Sequence, residues 1–241
     1  MSKKKGAIRH YFQAIAVAVL AALVLRAFVI QAFRIPSGSM KDTLLIGDFL
    51  LVNKFVYGAQ TPRRIWGTDI EIPNFRMPAL SQPKHGDIVI FKYPKNERLD
   101  YIKRCVGLEG DTLLVKNNTV YVNGEPEGKE TFLKREFDPE EGRYVNYFQV
   151  EKKSGKTYTI RKYADVHSPK SNFGPVVVPE DHLFMMGDNR DNSSDSRYWG
   201  FMPRDNVEGE ALVIYFSWDK HEPMLDLLDA IRWNRIFKVI L

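Results

Sequence analysis

Apolar positions change their spacing once along this chain, and the change divides it. Residues 11–33 form a nearly continuous apolar run, interrupted only by Gln13, Arg26 and Gln31. A helix needs about 20 apolar residues to cross a bilayer, so this run predicts a single transmembrane helix. Beyond Phe33 the apolar residues fall into short runs punctuated by Gly, Pro, Asn and Asp. Residues 49–52, 87–91, 112–115, 119–122, 175–178, 182–186 and 211–216 each read as a strand. No helical periods intervene, and such spacing predicts a mainly β domain. Asn123–Gly124 predicts a tight hairpin turn, since both residues tolerate positive φ.

The flanks of the apolar run set its orientation. Lys3, Lys4, Lys5 and Arg9 precede it, which keeps the amino terminus in the cytoplasm and sends the rest of the chain outside. Arg26 is close enough to the outer end to snorkel to the interface. Ala21 and Ala22 leave a cleaved signal peptide as one competing reading, and a buried soluble helix is another. Residues 128–172 are richer in charge and poorer in core residues, as expected of an exposed inserted lobe. Residues 61–83 are loop-like, with Trp66, Phe75, Met77 and Leu80 packing on the core or meeting a membrane or groove. The tail, residues 224–241, predicts a helix with Trp233, Ile236, Phe237 and Ile240 on one stripe, either interfacial or packed on the domain.

Composition narrows the classes. A chain of 241 residues with 44% apolar and 27% charged residues is globular rather than disordered. Its net charge of +5 fits either anionic lipid head groups or a mildly basic soluble surface. No basic stripe interleaves with aromatics, which argues against nucleic acid. The lone Cys105 excludes a disulfide within the chain.

Candidate chemistry centres on Ser37-Gly38-Ser39, just past the apolar run. Six residues separate Phe33 from Ser39, a reach of about 20 Å at most, so the Ser39 hydroxyl works near the lipid surface. A serine nucleophile needs a base. His10 lies on the cytoplasmic side, and His85, His167, His182 and His221 lack a triad setting; no Gly-x-Ser-x-Gly elbow exists. Lysine is the other candidate. Lys103 sits on a strand-like run between Tyr101 and Cys105, with Ile102 and Arg104 on the opposite face. Burial would lower its pKa from about 10.4, and a drop of three units costs roughly 4 kcal/mol. Taken alone, a lysine on a strand usually lies at the surface. Residues 187–197 form an acid-rich loop that departs from the calcium-binding pattern at Ser196 and Met202, so no metal site is expected. The loop instead suits a hydrogen-bonded turn able to hold a lysine amine in place.

Four ordered segments carry a resemblance: residues 33–48, 86–91, 101–111 and 187–197, following the apolar helix. Together they resemble bacterial type I signal peptidase, the membrane-bound enzyme that cuts signal peptides from exported preproteins. The resemblance implies a mainly β, antiparallel catalytic domain at residues 34–111 and 181–241, an inserted β lobe at 112–180, a cytoplasmic segment at 1–10 and an anchor at 11–33. It implies Ser39 as nucleophile and Lys103 as general base, with Ser37 and the Ser39 N–H forming the oxyanion hole. Ser193 would orient the Lys103 amine, and Asp195 and Arg197 would hold the loop as an ion pair. Ile35, Met40, Leu44, Tyr101 and Ile102 fall where the family builds pockets for small residues at −1 and −3. No cofactor is implied. The implied partners are preprotein signal peptides and the phospholipid membrane, with the secretion translocon a further candidate, and the implied place is the outer face of the cytoplasmic membrane. Lys41–Asp42 departs from the family, where proline is frequent at position 42, and a single anchor replaces the two seen in some relatives. A self-cleaving Ser–Lys repressor protease and an inactive membrane-anchored binder are the alternative readings.

Overall fold

The computed structural model of the chain describes residues 10–22, 29–61, 70–165, 168–219 and 228–240. Among them, three antiparallel sheets account for nearly all regular structure. The main sheet contains β1 (Ile30–Arg34), β2 (Asp48–Asn53), β3 (Ile88–Tyr93), β4 (Asn96–Gly107), β12 (His182–Met186), β13 (Met202–Pro203), β14 (Val207–Ser217) and β15 (Lys238–Val239). Their order is β1-β2-β14-β3-β4-β12-β13, with β15 also paired to β14. The insertion supplies two smaller sheets. One is β11-β5-β6-β7, from β5 (Thr112–Lys116), β6 (Thr119–Val122), β7 (Glu125–Pro126) and β11 (Phe173–Val177). The other is β10-β9-β8, from β8 (Lys129–Asp138), β9 (Arg143–Glu151) and β10 (Thr157–Tyr163).

The core explains why β3 reads as an unbroken apolar run. Ile88 and Ile90 enter one buried cluster with Leu50, Val52 and Ile214. Val89 and Phe91, pointing the other way, enter a second with Cys105, Met185 and Trp199. Both faces of this central strand are therefore covered, and alternation between polar and apolar residues disappears. The Asn123–Gly124 turn has φ of 54° and 82°, as its composition predicts. Asn117–Asn118 makes a similar turn between β5 and β6, with φ of 50° and 62°.

Two expectations change. Residues 10–22 are helical and exposed, but residues 30–33, assigned to the anchor by hydropathy, instead open β1. That strand pairs with β2 from Ile30↔Asn53 to Arg34↔Phe49, because an apolar edge strand satisfies its backbone by pairing just as a membrane helix does internally. Residues 23–28 of the expected anchor lie outside the described residues. No helix among the described residues is long and apolar enough to cross a membrane.

The tail is likewise not a helix over residues 228–240. It makes a turn, a single 3-10 turn at Trp233–Arg235 and β15. Tertiary partners override its helical periodicity. Arg235 inserts onto Asp48 at 2.6 and 3.0 Å, Phe237 takes φ of 62°, and its N–H donates to the Ile214 carbonyl at 2.7 Å. Ile240 alone of the stripe packs against the core, while Trp233 and Phe237 stay exposed.

Candidate active site

Apolar residues anchor the Ser39 turn at both ends. Ile35, Met40 and Leu44 are buried in one cluster, with Ile102 packed against it. Between them Ser37 has extended backbone and Gly38–Met40 form one 3-10 turn. This wraps Ser39 against the sheet, where its residue is buried. The Ser37 and Ser39 hydroxyl oxygens lie 3.4 Å apart.

β4 delivers Lys103. The residue is opposite Val89 on β3, on the interior-facing side of the strand, and is buried. Its Nζ donates to Ser39 Oγ at 2.6 Å and to the Ile102 carbonyl at 3.0 Å. The Tyr101 ring lies beneath it, with the centroid 5.3 Å from Nζ. Burial lowers the Lys103 pKa to about 8, against the opposing pull of Asp195 and Asp188. Desolvation wins because neither carboxylate touches the ammonium.

The loop after β12 closes the site from the other side. A Cβ on Gly187 would lie 2.3 Å from Ser193 Oγ and 2.4 Å from the Ser39 carbonyl, so only glycine lets the loop approach the nucleophile so closely. Ser193 Oγ is buried and makes no hydrogen bond. It therefore makes no hydrogen bond to the Lys103 amine here. Asp195 accepts from Arg197 Nε at 2.8 Å and Nη2 at 2.7 Å, and from the Gly187 N–H at 3.2 Å. It also caps the short helix Ser196–Trp199. The expected Asp195–Arg197 pair thus exists, and it holds the loop's fold rather than touching Lys103.

Of the five expected pocket residues, Ile35, Met40, Leu44 and Ile102 meet in one cluster. Tyr101 instead lies on the Lys103 face, stacked on Tyr93 at 4.4 Å. Two of the histidines are engaged elsewhere: His85 pairs with Asp111 at 2.6 Å and His182 with the Glu180 carbonyl at 2.6 Å. His167 and His221 lie outside the described residues.

Sequence reading missed the group beneath the dyad. Arg104, next to Lys103 but on the opposite face, forks onto Asp188 at 2.8 and 2.7 Å, and Thr43 Oγ1 donates to the same carboxylate at 2.6 Å. Asp188 thereby ties β4 to the chain just after the nucleophile. Asn189 adds two bonds to the turn itself, from its N–H to the Ser39 carbonyl at 3.1 Å and from Nδ2 to the Gly38 carbonyl at 3.1 Å. The only sequence signal was their place in the acid-rich loop; their partners are distant in the chain.

Chemically, a buried hydroxyl in contact with a lysine of lowered pKa suits proton abstraction from a nucleophile. Residues 8–218 match the family model described as signal peptidase, peptidase S26. The signal peptidase I of Pseudomonas aeruginosa is 37% identical over 198 residues, covering 77% of this chain and 64% of that protein. That of Aquifex aeolicus is 36% identical over 239 residues, covering 87% and 85%. That of Rickettsia typhi is 31% identical over 256 residues, covering 98% and 96%. The chain therefore spans somewhat under two thirds of the Pseudomonas relative and nearly all of the Rickettsia one.

Proposed function

The chain belongs to the signal peptidase family, peptidase S26, and we propose that it is a membrane-bound Ser–Lys endopeptidase that removes signal peptides from exported preproteins. The observation that carries this reading is the 2.6 Å contact between Lys103 Nζ and Ser39 Oγ, made by two buried side chains. With a pKa of about 8, roughly one Lys103 amine in ten is neutral at pH 7, against about one in three thousand for a lysine at 10.5.

In the reaction, the neutral amine takes the Ser39 proton as Oγ attacks the scissile carbonyl carbon. The Ser39 N–H and the Ser37 hydroxyl receive the resulting oxyanion; each such donor contributes about 3–4 kcal/mol in comparable sites. The Lys103 ammonium then returns its proton to the departing amine of the mature protein. An acyl-enzyme remains, and water activated by the same amine releases the signal peptide. Ser193, whose hydroxyl has no partner in the resting site, is the acceptor available to hold the amine when it turns.

Ile35, Met40 and Leu44, which pack with Ile102 in one buried cluster, are read as the apolar side of the site that selects small residues at −1 and −3. The apolar run ahead of β1 is read as the anchor, which would put the site on the outer face of the cytoplasmic membrane where translocated preproteins arrive, at or near the translocon. Mass spectrometry of a peptide spanning an Ala-x-Ala site, incubated with the full chain in detergent, tests the proposal. Cleavage after the second alanine that is lost in Ser39→Ala and Lys103→Ala is expected; unchanged cleavage in either variant refutes it.

A further inference from the structure

The tip of the β8–β9 hairpin, which belongs to the inserted lobe, reaches the nucleophile turn. Lys41, two residues past Ser39, has its Nζ 2.7 Å from Asp138 and 2.6 Å from Glu140. Arg161 of β10 pairs with the same Asp138 and comes within 3.5 Å of Glu141. Glu141 Oε1 accepts from Asn189 Nδ2 at 3.0 Å, and that amide also donates to the Gly38 carbonyl at 3.1 Å. The backbone is joined too: the Arg161 N–H donates to the Asp188 carbonyl, and the Arg190 N–H donates to the Arg161 carbonyl, both at 2.9 Å.

The turn has reason to need this support. Asp42 takes φ of 80°, a region that costs a non-glycine residue roughly 1–2 kcal/mol. Its carboxylate faces the Arg161 guanidinium at 3.9 Å, and burial raises its pKa. Arg161 has no exposure, and its Nε and Nη1 make no hydrogen bond. A buried arginine left partly unsatisfied is costly, so this one is held by the arrangement around it and in turn holds Asp138 in reach of Lys41.

We infer that Lys41 is a positioning residue for the reaction: clasped by Asp138 and Glu140, it fixes the Ser39 turn against Lys103, and the inserted lobe is thereby part of the active-site architecture. The inference rests on the Ser39–Lys103 reading for its kinetic consequence, but its structural consequence stands apart from it. Breaking the clasp loosens the turn without removing any reacting group, so it lowers kcat more than it raises KM.

The test uses the full chain in detergent, with Lys41→Met, Lys41→Arg and Glu140→Lys beside wild type. Misplacing reacting atoms by an ångström costs up to about a hundredfold, so Lys41→Met is expected to lose about tenfold or more in kcat with KM changed by less than about threefold. Lys41→Arg, which keeps the charge, restores most of the rate. Glu140→Lys, at the half-exposed tip where folding is not at risk, lowers kcat in the same sense by about threefold. Hydrogen exchange at residues 38–44 is read in the same samples and speeds by about tenfold in Lys41→Met, a local opening rather than a global one. The proposal is overturned if kcat and exchange both stay within twofold of wild type, or if any rate loss vanishes at a temperature where the variant is fully folded. Absence of Ser39-dependent cleavage by wild type would instead sink the peptidase reading, and exchange alone would then decide the clasp.

Discussion

Lys103 is predicted to destabilise the protein that it serves. Its pKa falls from 10.5 to about 8 on folding, with burial as the largest cause. A fall of this size corresponds to about 3 kcal/mol of stability lost at pH 7, where both states are mostly protonated. The folded state releases its proton first, so stability is regained as pH rises from about 8 to 10.5. Lys103→Met keeps the volume and removes the charge. It also removes the bonds to Ser39 and the Ile102 carbonyl, each worth about 1 kcal/mol net. The variant is therefore expected to be about 1–2 kcal/mol more stable than wild type at pH 7, roughly 2–8 °C in Tm, and inactive. At pH 10.5 the ordering reverses, because the penalty has gone and the hydrogen bonds remain. Denaturant unfolding of both proteins in the same detergent at pH 7 and 10.5 reads this directly, and other titrating groups cancel in the difference. A stability difference that does not move with pH, or that moves in the variant's favour as pH rises, refutes the reasoning.

Asp188→Asn removes the carboxylate that receives Arg104 and Thr43, leaving a buried guanidinium uncompensated, and thermal denaturation should show a loss of about 3–5 kcal/mol. Because Asp188 raises the Lys103 pKa, the rising limb of the variant's pH–rate profile should move to lower pH. Gly187→Ala forces a methyl within 2.4 Å of the Ser39 carbonyl; steady-state kinetics should show kcat reduced about a hundredfold as the nucleophile turn shifts. Asp42→Pro is expected to harm this chain, since proline is locked near φ of −65° and position 42 sits at 80°. A Tm at or above that of wild type would contradict that last expectation.

The central strands were legible because their burial is local in origin. The apolar runs at 49–52, 87–91 and 182–186 fall on β2, β3 and β12, and Asn123–Gly124 makes the turn that its backbone preference dictates. The Ser39–Lys103 contact was legible through chemistry: a serine in a tight turn and a lysine on a strand, brought together across 64 positions of sequence. Residues 30–33 were not, since hydropathy cannot tell a membrane helix from an apolar strand that pairs with a neighbour. The tail misled for a related reason. Its periodicity favours a helix, but Arg235 finds Asp48 187 positions away, and such a partner leaves no mark in local pattern. The Arg104–Asp188 pair and the Lys41 clasp are equally non-local. Each residue in them reads as an ordinary surface charge until the fold brings its partner to it.

The proposed mechanism turns on a buried lysine amine acting as the base for Ser39. The pH dependence of kcat/KM for preprotein cleavage tests it most directly, because that profile reports the free enzyme's essential ionisations. A single rising limb with an apparent pKa of about 8 is expected, absent from the residual activity of Lys103→Ala. A limb centred near 6.5, the ordinary range of histidine, or one that survives in Lys103→Ala, would contradict it.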